Sequence, residues 1–522
     1  MEEHKDAKIT GNLKETTDFI IKLLGENGDF LMREFHVFGQ YPATMFYFSQ
    51  MVDPSMLNES ILKPLMYTPP HIQTEQLPPE RLQDVLLNNA LYHSNCQTES
   101  LLPSLVKGIL RGETIIAVEG LKQAFLIATR QIDKRGIEQP ATEQVIRGPR
   151  EGFVETIGTN LSLIRYRLQS PELRVAQMDI GRKTRSKVAI CYMQGLTNPE
   201  LVDEVNNRLK RIDVDAILDS GYLEQYIEDN QLSPFPQVQY TERPDKVVAN
   251  LLEGRVAILV DGSPLALIVP TVFNQFYQTV EDYTERYLLM SPIRIVRLVA
   301  LMFSLIFPSI YVSIISFNPE LIPTEFAVAV AGGRAGVPFP AVVEVLIIEI
   351  SMEVLREATI RLPQQVGGAL SIVGVLIIGQ AAVSAGFASP ITVVIIALTT
   401  IGSFATPAYN AALALRLLRF PLMILAGIFG LYGVMIGLIL IANHLLSLKS
   451  FGVPYLSPLV PGDFQGMKDL LIRGPLWWSN KRPSFLYPLD RTRNSGQSST
   501  STHEQSENAL DPAKFQGGKE KS

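Results

Sequence analysis

Hydrophobic and polar positions along this chain follow two regimes that meet near Leu298. Up to that point the sequence is mixed and charged, with the character of a globular soluble domain. Beyond it come apolar runs at about 298–317, 368–388, 391–406 and 420–446. The first, second and fourth reach the roughly 20 residues that a helical membrane span requires. The third, bracketed by Pro390 and Pro407, is marginal and decides the parity of any crossing. Among these runs lies a segment, residues 341–358, that is apolar enough to enter lipid yet carries Glu344, Glu349 and Glu353. The pattern predicts an α/β soluble N-terminal half followed by an all-α multi-pass membrane domain over residues 298–446, of about four to five helices including 341–358.

Within the first half, two stretches repeat. Leu105-Val-Lys-Gly-Ile-Leu-Arg-Gly-Glu-Thr-Ile-Ile-Ala-Val-Glu-Gly120 lies on Val247-Val-Ala-Asn-Leu-Leu-Glu-Gly-Arg-Val-Ala-Ile-Leu-Val-Asp-Gly262, with Gly112/Gly254, Ile116/Ile258, Val118/Val260, Gly120/Gly262 and Ala124/Ala266 in agreement. Each copy reads as a helix closed by glycine, then two apolar strands around Glu-Gly or Asp-Gly. Thr44 to Pro54 likewise resembles Ala189 to Pro199, each a strand ending in Asp-Pro or Asn-Pro, which starts a helix through an N-cap followed by proline. These pairs predict two similar α/β subdomains, residues 15–140 and 150–285, after a polar segment 1–14. A joint runs from Gly136 to Gln144. The polar C-terminal part divides into a region 447–490 and a tail, 491–522, whose Ser/Thr/Gln-rich composition predicts disorder.

Composition narrows the picture further. A length of 522 residues exceeds one ordinary domain, and the 47% hydrophobic content is that of a soluble protein on average, because the apolar residues are concentrated after Leu298. A net charge of −6 gives no electrostatic case for nucleic acid. The two cysteines imply neither disulfide framework nor metal site, and Cys191, in the run 188–193, reads as a small buried hydrophobe. The first ten residues lack the features of a signal peptide. Arg294 and Arg297 precede the first apolar run, whereas the stretch from it to Pro340 sets one Arg334 against Glu320 and Glu325; this bias places the N-terminal half in the cytoplasm.

Candidate chemistry is sparse. No phosphate-binding, dinucleotide-binding, zinc-protease or nucleophile-elbow motif occurs, and the six histidines are scattered, so the reading is of a non-enzyme with no catalytic residue, metal or cofactor. Gly332-Gly-Arg-Ala-Gly336 reads as a bend between membrane segments. On a helix, Glu349, Glu353 and Arg356 share one face while Glu344 and Ser351 share a roughly opposite one; Glu353/Arg356 and Glu357/Arg361 are spaced to pair. Two readings stand side by side: Glu344, Glu349, Glu353 and Arg356 line a pore or polar interior, or the helix lies at the interface or merely pairs its charges with neighbours. Gly430, Gly433 and Gly437, with Ala426, form small-residue spacings that let helices approach; Ala381/Ala385 and Ala382/Gly386 do the same.

The stretches Val145-Ile-Arg-Gly-Pro-Arg-Glu-Gly-Phe-Val-Glu155, Ser233-Pro-Phe-Pro-Gln-Val238, Glu242-Arg-Pro-Asp245, Glu253-Gly-Arg-Val-Ala-Ile-Leu-Val-Asp-Gly-Ser-Pro264 and Glu353-Val-Leu-Arg-Glu-Ala358 resemble those of GerA-type spore germinant receptor A subunits, over roughly Asn12 to Pro483. The resemblance implies a nutrient-receptor subunit in the inner membrane of endospores, with the soluble half on the core side. It also implies B and C partner subunits, the B subunit being the main binder of the nutrient germinant, and self-association into a nutrient-gated ion channel. A secondary transporter component and a membrane-anchored signalling scaffold remain alternatives; no repeat is visible within 298–446 to favour the transporter.

Overall fold

The computed structural model describes residues 6–67, 77–91, 93–131, 139–360, 379–462, 466–470, 472–475 and 480–493. The N-terminal half is built on two five-stranded sheets. The first contains β1 (Phe30–Val37), β2 (Tyr41–Phe48), β3 (Cys96–Glu99), β4 (Thr114–Val118) and β5 (Ala124–Ile127), in the order β1-β2-β4-β5-β3. The second contains β6 (Leu173–Ile180), β7 (Ser186–Met193), β8 (Gln239–Thr241), β9 (Val256–Val260) and β10 (Ala266–Val269), in the order β6-β7-β9-β10-β8. Strand for strand the order is the same, and every pairing in both sheets is antiparallel.

The repeated sequence blocks occupy like places in these sheets. Gly112 and Gly254 follow their helices at φ +87° and +98°, and Gly120 and Gly262 turn the β4–β5 and β9–β10 hairpins at φ +83° and +90°, a region costly for any other residue. Asp53 and Asn198 each accept backbone N–H bonds at a helix start, with Pro54 and Pro199 next in the chain.

Helices cover the sheets. α1 (Leu13–Leu24) and α2 (Leu102–Leu110) bury Ile20, Leu24, Leu105 and Ile109 against Phe46 and Ile115 of the first sheet. α3 (Ile157–Arg167) covers one face of the second sheet, while α4 (Pro199–Lys210) and α5 (Ser220–Ile227) cover the other; α6 (Pro244–Leu251) joins α3. Because both faces are covered, β4 and β9 are buried at every position, which is why they read as unbroken apolar runs. Cys191 lies fully buried in β7, and burial pushes its thiol up to about 12. The two sheets are clamped by Arg165 of α3, whose Nε and Nη2 donate to Asp29 at 2.5 and 2.6 Å with no solvent access at Asp29. Its guanidinium lies 3.9 Å from the Phe48 ring centroid.

The second half is helical: α7 (Tyr287–Phe317), α8 (Thr324–Arg334), α9 (Ala341–Ile360), α10 (Pro390–Phe404) and α11 (Tyr409–Ser447). Among the described residues, α7 and α11 are long and apolar enough to cross a membrane. Contacts fix the direction of α7, α10 and α11. α7 begins beside the sheets, α10 ends on the same side where Gly402 meets Ala300, and Ala408 N donates to the Phe276 carbonyl at 3.3 Å just before α11.

Two readings of the sequence are corrected here. The apolar run 420–446 is not one span. Gly430 has φ 61° and ψ −144°, and the helix folds back there into two arms, 409–429 and 431–447. Gly433 and Gly437 therefore pack the arms on each other: a Cβ at either would collide with Leu425 or Leu422. The returning arm brings His444 within 2.9 Å of Ser233, back at the sheets. Gly332 and Gly333 lie within α8 rather than in a bend. Arg294 and Arg297 precede the apolar run that starts at Leu298, and the helix that carries it, α7, already begins at Tyr287. The stretch 361–378, holding Arg361 and much of the apolar run 368–388, and the tail from 494 lie outside the described residues.

The chain after α11 packs on the second sheet. Phe451 enters its core, Tyr455 donates to the Pro236 carbonyl at 2.7 Å, and Leu489 N donates to the Leu196 carbonyl at 2.9 Å.

Candidate functional site

The helical half buries several of its charges, Glu344, Glu349, Arg416 and Arg419 among them. α9 packs against α7, α10 and α11, and its glutamates meet partners from three elements. Glu344, fully buried, accepts from the Ser389 backbone N–H at 2.6 Å and from Arg334 Nε of α8 at 3.2 Å. Ser389 in turn caps α10 by accepting from Thr392 N, and the Thr392 hydroxyl reaches Tyr311 of α7 at 3.0 Å. One carboxylate thus ties α7, α8, α9 and α10 together.

Glu349, one and a half turns on, faces the first arm of α11 and pairs with the fully buried Arg419. Glu353 accepts from Arg356 at 2.7 Å and stands 3.4 Å from Arg416 Nε. Arg356 and Arg416 lie near the rings of Phe404 and Tyr409, at 5.3 and 5.5 Å. The predicted pair Glu353–Arg356 is present, and Glu349, Glu353 and Arg356 gather on one side, while Glu344 points elsewhere. Ser351 bonds its own helix at Ile347. Removing two charges from water costs several kcal/mol per ion, offset only when each carboxylate meets a cation. The arrangement therefore locks helices together, and a carboxylate freed from its partner becomes a strong cation site.

A second charged cluster joins the two halves. Asp282, fully buried, takes Arg294 Nε at 3.2 Å and Arg297 Nη1 and Nη2 at 3.1 and 3.2 Å. Arg294 also donates to Asp469 at 2.8 Å, and Tyr283 donates to the same carboxylate at 2.6 Å. Desolvation of the hydroxyl, with Asp469 beside it, raises Tyr283 above its ordinary range although the residue as a whole is 40% exposed, so it remains a donor. Among the described residues no group of three His, Cys, Asp or Glu side chains stands close enough to hold a metal ion.

This architecture has relatives. Residues 18–485 match the family model described as Bacillus/Clostridium GerA spore germination protein. The chain belongs to the GerA family, the A-type subunits of spore germinant receptors. Spore germination protein KA of Bacillus subtilis is 42% identical over 494 residues, 94% of this chain and 90% of that one. The membrane protein YfkQ of the same organism is 40% identical, over 92% and 93%. The crystallised N-terminal domain of the A subunit of the Bacillus megaterium germinant receptor GerK3 is 31% identical, covering 51% of this chain and 98% of that domain with a TM-score of 0.40.

In this GerA chain the glutamates of α9 were legible in sequence, but their partners were not singled out. Arg416 and Arg419 were signalled all the same: two arginines three apart, flanked by Ala411, Ala412, Leu415 and Leu418, cannot be left unpaired in an apolar helix. Asp282 carried no such signal, since it lies in a polar stretch.

Proposed function

We propose that this GerA chain acts as the A subunit of a nutrient germinant receptor in the spore inner membrane, together with B and C subunits, and that copies of it form a nutrient-gated ion channel. The helices are its membrane part, entering at α7, with the sheets and the chain after α11 on the cytoplasmic (core) side. The observation that carries the reading is the ladder of buried Glu–Arg contacts along α9. Several ionisable groups at membrane depth are expensive, and in membrane proteins they mark ion paths or interhelical switches. The relative YfkQ, a membrane protein, supports the same placement.

The test is ion flux from liposomes holding the assembled subunits. Passive flux opened by germinant is expected; flux coupled to a substrate would make the chain part of a transporter, and none would make it a scaffold. Glu349→Gln and Glu353→Gln should then alter conductance or ion selectivity. The pairing of both carboxylates with arginines also favours a second reading, in which they only hold helices together. In that case a Glu349→Gln/Arg419→Gln pair assembles and conducts like the parent.

A further inference from the structure

Two of the buried guanidinium groups elsewhere in the molecule show how such a group is gripped in full. Arg165 grips Asp29, and Arg243 grips Asp245, each through the Nε/Nη2 edge, the two parallel donors that match the two oxygens of an oxyanion. Arg416 and Arg419 present the same edge unused. Among the described residues, Arg416 Nε and Nη2 and Arg419 Nε and Nη2 have no hydrogen-bond partner, although both residues are at least 96% buried. Arg416 Nε stands 3.4 Å from Glu353 without bonding it. Three residues apart, the two arginines share one face of α11. The ion pairs to Glu353 and Glu349 offset the burial of these two charges only in part, because donors on each guanidinium still lack a hydrogen-bond acceptor.

Between these helices one acceptor is also bare, Glu349 Oε2. A ligand that satisfies the whole set accepts from two guanidinium edges and donates one hydrogen bond to a carboxylate. We propose that Arg416, Arg419 and Glu349 form a binding site for a small oxyanion that keeps one O–H, of the class of hydrogen carbonate or dihydrogen phosphate. The burial of both arginines keeps out any macromolecule. Arg419 lies ten residues into its arm, about 15 Å along the axis from its start. The site rests on burial and unpaired atoms alone, so a failure to detect ion flux leaves it standing.

The experiment uses the full-length chain in nanodiscs. Hydrogen carbonate is titrated at constant ionic strength, with nitrate, planar and singly charged but without an O–H, as comparator. A saturable rise in Tm of about 2 °C or more is expected with hydrogen carbonate. Nitrate should give a smaller rise, and Arg416→Gln, which leaves the Glu349–Arg419 pair intact, should abolish the response. Line broadening of 13C-labelled hydrogen carbonate reads the same site in the parent protein should that variant fail to fold. The response should be the same in phosphatidylcholine and phosphatidylglycerol discs; a response lost in phosphatidylglycerol means that an anionic headgroup without a phosphate O–H competes for the site, and overturns the O–H requirement. No saturable response in either lipid, an equal response to nitrate, or a response unchanged in Arg416→Gln overturns the proposal.

Discussion

Two carboxylates of the second sheet's cover behave oppositely for local reasons. Burial would raise Asp219, but hydrogen bonds from Ser263 and from the Gly221 and Ser220 N–H groups outweigh it and hold the group below its usual range. Glu224, one turn further along α5, has no such donors. Burial first, then the neighbouring charges of Glu228 and Asp219, push it up to about 8, and Tyr240 beside it adds no cation. A carboxyl raised on folding takes up a proton, so its contribution to stability is full in acid and fades as pH rises from the ordinary carboxyl range, about 4.5, through about 8. Glu224→Gln, which mimics the protonated form, should flatten the decline in Tm across that window. An unchanged slope in thermal melts would mean that Glu224 is solvated and ionised throughout.

At the scale of elements, Gly430 is the clearest case of a single residue setting the path of the chain. Its φ of 61° with ψ of −144° is open to glycine alone, and a Cβ there would stand 3.1 Å from Phe317. Gly430→Ala should cost about 1–3 kcal/mol in strain before any clash, and lower the Tm of the solubilised chain. Gly332→Ala, inside α8 with nothing within 4 Å, should be neutral or stabilising by about 0.4–1 kcal/mol. If Gly430→Ala is as mild as Gly332→Ala, α11 is one continuous helix. This hairpin also marks where sequence reading runs out. The apolar runs of α7 and α10, the glycine-closed turns and the Asx-Pro starts were legible because each depends on residues within a few positions. Hydropathy averages side chains and is blind to φ, so Phe429-Gly430-Leu431 looks like any stretch of membrane helix. The glutamates of α9 were visible as a local anomaly, but Arg419 lies 70 residues away from Glu349, and only the folded bundle says which cation meets which carboxylate.

At the scale of the molecule, the sheets and the helices meet through an apolar cluster around Phe235, Phe276 and Tyr455 and through a charged joint centred on Asp282. It is fully buried and the shared counter-ion of Arg294 and Arg297, both on the first two turns or so of α7 that leave the sheets; Asp469, from the chain that returns after α11, holds Arg294 from the other side. Any signal that begins in the sheets and ends in the helices has to move this joint or be transmitted around it. Asp282→Asn keeps the shape but removes the charge, leaving Arg294 with Asp469 and Arg297 with the Tyr277 carbonyl. Removing one partner of a buried pair costs about 3–5 kcal/mol, and here the loss falls on the joint rather than on either core, since neither the clamp at Arg165–Asp29 nor the α9 ladder touches Asp282. The expected result is faster proteolytic cleavage between residues 279 and 286, intact protection of the two sheets, and a weakened germinant response in spores carrying the variant. Asp282→Glu, which restores the charge one methylene out of place, should recover part of that response. Unaltered cleavage together with an unaltered response in Asp282→Asn would show that the sheets and helices communicate through the His444–Ser233 and Tyr455–Pro236 contacts instead, on the returning chain.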